Sequence, residues 1–254
     1  MVENLFINGC SFLQIYDKHK CSTTAGHKLA ETMGLNPIGY AAAGRGNDRI
    51  LTTTKLFFYD NPELIKDTFV LIGWSHVVRN DYLVESSVLE KSPKEGLPTP
   101  TSRVRTFTRN KWKDTQWRTW KLTKSIKRAR GNPRSGLPES FSVHKNLRLR
   151  YLQQVLSMQD FLKLKGINYC MYNALSNPYV SQGAEGLDRL ADEVDKRRFF
   201  QFDGESHLEF VQNSMVKPES NILTLSKTDD HPNDKGHTFW SEKLYSFIKE
   251  NELL

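Results

Sequence analysis

Residues 67–75 read DTFVLIGWS, and Phe69 to Ile72 within them are continuously apolar. A strand with one wet face alternates apolar and polar residues. An unbroken apolar run closed by Gly73 instead fits a strand covered on both faces, as in a parallel sheet with helices on either side. Shorter runs of this kind recur as LFING at 5–9, INYCMYNA at 167–174 and ILTL at 222–225, with NPIGYAAAG at 36–44 a weaker candidate that ends in glycine.

Helical periodicity fills the gaps. Ala25, Leu29 and Met33 stand four apart and Gly34 stops them. Asn47 or Asp48 can cap DRILTTTKLFFY, which Asn61-Pro62 ends. Residues 145–165 line Leu149, Leu152, Val155, Leu156, Met158, Phe161 and Leu162 along one side, before Gly166. Residues 183–215 read as short helices and loops. KGHTFWSEKLYSFIKEN is the closing helix, with Phe239, Leu244, Phe247 and Ile248 as its core side. The alternation predicts a three-layer α/β/α sandwich of flavodoxin-like kind around a mostly parallel sheet, as one domain over 1–254.

Residues 86–144 break the rhythm with Pro93, Pro98, Pro100, Pro133 and Pro138. Between Lys91 and Arg150 stand 17 Lys/Arg and 3 Asp/Glu, a balance of +14, so the formal +7 of the whole chain leaves −7 on the remainder. An acidic body carries a basic, tryptophan-containing insertion. Within it, KWKDTQWRTWKLTKSIKRAR is expected to be helical, with Trp117, Trp120 and Lys124 on one face. The charge points to an anionic partner such as a lipid head group, an acidic glycan or nucleic acid, the last being the weaker reading. A basic lid over the site is the favoured role.

No apolar run approaches 18 residues, so no membrane span is expected. The N-terminus lacks the basic and long apolar regions of a secretory signal. Cys10, Cys21 and Cys170 make no disulfide framework, and a reducing compartment follows.

In open α/β sheets ligands bind beyond the carboxyl ends of the strands. Those ends read NGCSF (8–12), AGRGND (43–48), GWSH (73–76), NALSN (173–177) and TDDHPNDKGH (228–237). A hydroxyl, glycine turns and an Asp-Asp-His are the parts that acyl transfer needs: a nucleophile, donors for an oxyanion, and an imidazole held by a carboxylate. Ser11 is the expected nucleophile. Cys10 is intrinsically the stronger one when ionised, but it needs a lowered pKa and reads as a small buried residue. His76 and Arg79 follow the third strand near the same edge. The six-residue spacing of His231 and His237 matches no metal-ligand pattern, so neither a metal nor a cofactor is expected.

These blocks resemble those of the SGNH (GDSL-type) hydrolase superfamily. The matching residues are Gly9-Cys10-Ser11, Gly44 in AAAGRGND, Gly73-Trp74-Ser75-His76 and Asp229-Asp230-His231-Pro232. The likeness covers roughly 1–80 and 145–250. It is closest to a divergent branch, with an N-G-C-S-F start and a G-x-x-N-D-R-I second block, that is associated with large tailed bacteriophages. The resemblance implies a serine esterase or O-deacylase acting on an acylated small molecule or glycan. In it Ser11 attacks, His231 is the base, Asp229 orients His231, and Gly44 and Ser75 serve the oxyanion. It also implies a location in a host cytoplasm or on a virion. Three positions depart from the family pattern. Cys10 replaces an aspartate, Ser75 stands where an oxyanion asparagine is usual, and Thr228 takes the usual triad-aspartate place, leaving Asp229, then Asp230, as the acid. An acyltransferase with the same residues is the nearest alternative. A non-catalytic binding or virion-associated protein that works through the insertion is the competing class.

Overall fold

The computed structural model describes residues 2–15, 21–85, 105–106, 115–121, 143–178, 186–214 and 222–254. In chain order the strands are β1 (Asn4–Gly9), β2 (Asn36–Gly39), β3 (Thr68–Trp74), β4 (Arg79–Glu85), β5 (Arg105–Thr106), β6 (Thr115–Lys121), β7 (Tyr169–Asn173), β8 (Phe199–Phe200), β9 (Thr224–Ser226) and β10 (Asp229–Pro232). The helices are α1 (Ala25–Met33), α2 (Asn47–Asp60), α3 (Val143–Leu164), α4 (Asp188–Asp192), α5 (His207–Gln212) and α6 (Asp234–Glu250).

The central sheet runs β2-β1-β3-β7-β8, every pair parallel. Its continuous apolar runs follow from cover on both faces. Phe6, Val70, Ile72, Tyr169, Met171 and Phe199 pack with α2 and α3 residues such as Ile50, Phe58, Leu152 and Val155. The alternate residues Leu5, Ile7, Phe69, Leu71, Cys170 and Tyr172 pack with Leu29 of α1 and with Trp240, Leu244 and Ile248 of α6. This is the expected α/β/α sandwich. The chain leaves β1 for β2 on one side and returns to β3 on the other, so the connections diverge at the carboxyl ends of β1 and β3.

Local signals explain the element ends. Thr24 caps α1 by accepting the His27 N–H, and Gly34 closes that helix with a φ of 66°, which glycine adopts without a Cβ penalty. Gly9 and Gly73 are register partners on β1 and β3. A Cβ on Gly9 would stand 2.8 Å from the Gly73 carbonyl oxygen and 2.9 Å from Leu13 Cδ1; one on Gly73 would stand 2.8 Å from the same Leu13 carbon. The paired glycines let the turn after β1 fold down onto the sheet.

Four expectations need correction. Residues 115–121 form a strand, not a helix, paired antiparallel with β4, and β5 completes a separate three-stranded sheet. The sequence TQWRTWK is rich in threonine and tryptophan, which favour strands, and β4 satisfies its backbone. Lys124 and most of 86–144 lie outside the described residues. ILTL does not join the central sheet. Its strand β9 pairs with β10 in a hairpin, and the two-residue β8 takes the fifth place in the sheet. Asn47 does not cap α2; Gly46 is the cap position. On α6 the inward aromatic is Trp240, four residues before Leu244, whereas Phe239 is 46% exposed.

A buried aromatic cluster joins α6 to the turn after β1. His207 stacks on Trp240 with centroids 4.7 Å apart and planes within 4°. Phe12 meets the His207 ring edge-on at 5.3 Å, and His237 lies 5.6 Å away. His237 Nδ1 accepts the Ala25 N–H at 3.2 Å, tying the start of α6 to the start of α1. Burial holds His207 well below its ordinary 6.5, and burial also lowers His237, to about 4.

Two predictions follow from this packing. Gly9→Ala will destabilise the fold by about 1–3 kcal/mol, read as a lower urea midpoint, because the added methyl meets the Gly73 carbonyl, which is backbone of the paired strand, as well as Leu13. For the histidines, depressed folded pKa values mean that the unfolded chain binds more protons below the ordinary value of 6.5. Their contribution is therefore fully present above that pH and is lost as the pH falls towards 4. Thermal melts across this window will show that loss. It will be smaller in His207→Phe and in His237→Asn, which keeps an acceptor for Ala25.

Candidate active site

Asn8 builds the floor of the site. It is the penultimate residue of β1 and fully buried. Its Nδ2 donates to α2, with Ile50 O at 3.2 Å, Thr53 Oγ1 at 3.0 Å and Thr54 Oγ1 at 2.9 Å. Its Oδ1 accepts the Gly9 N–H at 2.8 Å and Arg45 Nη1 at 2.9 Å. Arg45 also donates to the Tyr40 carbonyl, so one carboxamide fixes the strand, the helix and the loop between β2 and α2.

Cys10 is extended, and a single 3-10 turn over Ser11–Leu13 follows it. The turn buries Phe12 and Leu13 and leaves Ser11 partly exposed. As the first residue of the turn, Ser11 has an N–H with no acceptor inside it. Gln14 then reaches across, its Oε1 accepting the Ala43 N–H at 2.5 Å, while the Ala42 N–H donates to Gly9 O at 3.2 Å. The loop is thereby laced to the end of β1. Gly44 sits in that loop with a φ of 78°, a conformation that favours glycine.

The two candidate nucleophiles part by burial. Cys10 is fully buried, and desolvation raises its thiol above the ordinary 9.0 despite the opposing charge of Arg79. It is held as a neutral thiol, which is a poor nucleophile.

Ser11 Oγ lies 3.0 Å from His231 Nε2, and His231 Nδ1 lies 2.7 Å from Asp229 Oδ1. The same oxygen accepts the His231 backbone N–H at 3.1 Å. The hairpin explains the two-residue spacing. Lys227 and Thr228 make its turn, and Thr228 Oγ1 stands 3.2 Å from Ser226 Oγ. Asp229 and His231 then lie two apart on β10, whose register with β9 shifts between Asp229 and Pro232. Asp230 is exposed and accepts Gln212 Nε2 at 3.0 Å. Phe12 packs its ring 5.4 Å from that of His231.

The end of β3 is more closed. Ser75 is fully buried. Its N–H donates to Asn47 Oδ1 at 2.7 Å, and its carbonyl accepts Asn47 Nδ2 at 3.2 Å. Asn47 therefore braces β3 against α2, in place of capping that helix or facing a substrate. The buried Asp81 carboxylate meets the helix start instead, accepting the Gly46 N–H at 2.7 Å beside Arg49 at 3.3 Å. Ser75 Oγ accepts Arg79 Nη1 at 3.2 Å. A tight turn positions Arg79: its N–H donates to His76 O, and His76 Nδ1 accepts the Val78 N–H.

Sequence reasoning passed over Asn8, Gln14, Asp81 and the contact between Arg79 and Ser75. A polar residue inside the apolar run LFING was the available signal for Asn8. The others join distant segments and leave no local pattern.

Asp229, Asp230 and His231 could each offer one ligand atom to a cation, all within 4.8 Å of one another. Asp229 and Nδ1 already face each other, and Nε2 faces Ser11, so a cation would have to break these contacts. His237 is buried, and its Nδ1 accepts the Ala25 N–H.

No family model matches the chain, and no curated protein matches it. Solved structures do. The Bacillus subtilis protein YXIM superposes with a TM-score of 0.50 at 10% identity, over 100% of this chain and 58% of that one. TesA follows with a TM-score of 0.48, 11% identity and coverage of 98% and 99%. A putative lipolytic protein of the G-D-S-L family from Desulfitobacterium hafniense gives 0.44, 12%, 96% and 98%. The chain spans 58% of YXIM's length, and at 10% identity the likeness to that protein is one of fold.

Proposed function

We propose that the chain is an SGNH-type serine ester hydrolase. The observation that carries this reading is the line of contacts from Ser11 Oγ to His231 Nε2 and from His231 Nδ1 to Asp229. In the proposed cycle Ser11 Oγ attacks the acyl carbonyl carbon and passes its proton to His231 Nε2. The Asp229 carboxylate accepts the Nδ1–H and stabilises the imidazolium. The N–H groups of Ser11 and Gly44 receive the oxyanion. Collapse of the tetrahedral adduct breaks the ester bond, and the proton on Nε2 goes to the departing alcohol. Water, deprotonated by His231, then attacks the acyl-serine and releases the acid. An acceptor alcohol in place of water would make the same site an acyltransferase. Ser75 is buried and engaged by Arg79, so in this reading it braces that arginine rather than meeting the oxyanion.

The substrate class is an acyl ester, an O-acylated glycan being one such molecule. The competing non-catalytic reading drew on the departures at Thr228 and Ser75. Against the first of these, Thr228 occupies a turn position and Asp229 Oδ1 lies 2.7 Å from His231 Nδ1, which supports the hydrolase reading. No helix among the described residues is long and apolar enough to cross a membrane.

A fluorophosphonate probe followed by mass spectrometry tests the reading. Labelling is expected on Ser11, lost in Ser11→Ala and kept in Cys10→Ala. An unlabelled wild type would favour the binding protein. Asp229→Asn is expected to lower kcat on an aryl ester on the order of 10²–10⁴-fold, because the imidazole loses its orienting charge. Asp230→Asn is expected to change it less than about threefold, since that carboxylate lies off the ring; a loss equal to that of Asp229→Asn would reassign the acid.

A further inference from the structure

Arg79 is a charged group at the end of β3 that the proposed cycle leaves unused. Its guanidinium donates through Nη1 to Ser75 Oγ, a neutral acceptor. Among the described residues it makes no ion pair with a carboxylate, unlike Arg49 with Asp81 and Arg150 with Asp48. It is partly buried. A half-buried guanidinium that faces no carboxylate among the described residues is available for one, and its planar fork has further N–H donors suited to bidentate carboxylate. Its place is fixed by the turn from His76 and by Gly46, whose Cα packs against the Arg79 carbonyl too closely to admit a Cβ. It stands beside Ser75 at the end of β3, the strand paired with β1, and its charge acts on Cys10, the neighbour of Ser11.

We infer that Arg79 is a specificity determinant for esters whose acyl group carries a carboxylate. This rests on the ester-hydrolase reading above and deepens it. The acyl chain would extend from the Ser11 carbonyl adduct towards the end of β3, and its carboxylate would take the guanidinium N–H groups that Ser75 does not use. Charge-assisted bidentate pairing of this kind binds and orients at once. The strand that begins at Arg79 leads in sequence to the segment with 17 Lys/Arg and 3 Asp/Glu, a net positive charge that favours arrival of anionic substrates.

The test compares 4-nitrophenyl hemisuccinate with 4-nitrophenyl butyrate, acyl chains of equal length that differ by the carboxylate, each corrected for spontaneous hydrolysis. Wild type is expected to prefer the hemisuccinate. Arg79→Gln is expected to lower kcat/KM for the hemisuccinate about 10- to 100-fold, mainly through KM, and to leave the butyrate within about threefold. Arg79→Lys is expected to recover part of the loss, since it restores charge without the fork. The butyrate rate serves as the control for folding. Equal rates on both esters in wild type would overturn the inference. An equal fall of kcat on both in Arg79→Gln would also overturn it and would place Arg79 at the oxyanion. In either case fluorophosphonate labelling of Ser11 would leave the hydrolase reading standing; absence of labelling would remove both.

Discussion

The carboxamide of Asn8 holds the site together. It sits where β1 ends, in a fully buried position that asks for complete hydrogen bonding. Its donors go to α2, and its acceptor goes to Gly9 and Arg45. Three segments distant in sequence are thus referred to one side chain: the strand that leads into Ser11, the helix behind it, and the loop that carries Gly44. A leucine would fill similar volume but take this acceptor from the Gly9 N–H and from the buried Arg45, at a cost on the order of 1–3 kcal/mol. The geometry around Ser11 is in this sense inherited from a buried polar network rather than from the turn itself.

Glycine does the complementary work. Gly9 opposite Gly73 removes the bulk that would hold the turn away from the sheet, and Leu13 fills the space. The same descent buries Cys10 and leaves Ser11 at the surface of the site. Two adjacent side chains capable of nucleophilic attack are thereby separated by solvation. Burial keeps the thiol protonated, and exposure brings the hydroxyl within hydrogen-bond distance of an imidazole. The partner arrives on the second strand of a hairpin whose register shifts between Asp229 and Pro232, and the Asp-x-His spacing there brings the Asp229 carboxylate against His231 Nδ1.

Burial on both faces writes itself plainly into a sequence, and so the central strands and the flanking helices were legible. Phe69 to Ile72 could hardly sit anywhere but the middle of a sheet. Interactions decided by partners were not legible. TQWRTWK carries helix-like spacing of its tryptophans, yet β4 offers it a ladder and the ladder wins. The two residues of β8 are too few to show any period. Asn47 has the chemistry of a cap, but the peptide of Ser75 competes for its side chain and takes it. Of the site, Ser11, His231 and Asp229 were readable as a set because each follows or lies near the end of an apolar segment. Asn8, Gln14 and the pairing of Arg79 with Ser75 were not, because their meaning lies in contacts across the fold.

Those contacts also sort the polar groups by purpose. Asn8, Asn47 and Asp81 are buried and spend their side-chain groups on the protein, which fixes the ends of β1 and β3 and the start of α2. Rigid surroundings of this kind let a site present polar groups that the protein itself does not use. Ser11 keeps an N–H outside its turn, and Arg79 spends one donor on a hydroxyl that cannot balance its charge. In a family pattern that places an asparagine at the end of the third strand, a neutral arm serves the reacting carbonyl directly. Ser75 is too short for that and is sealed from solvent, and its hydroxyl accepts from the Arg79 guanidinium instead. A positive charge thus stands at the end of β3 where that pattern would have a neutral amide, and charge discriminates between partners more sharply than a neutral amide can.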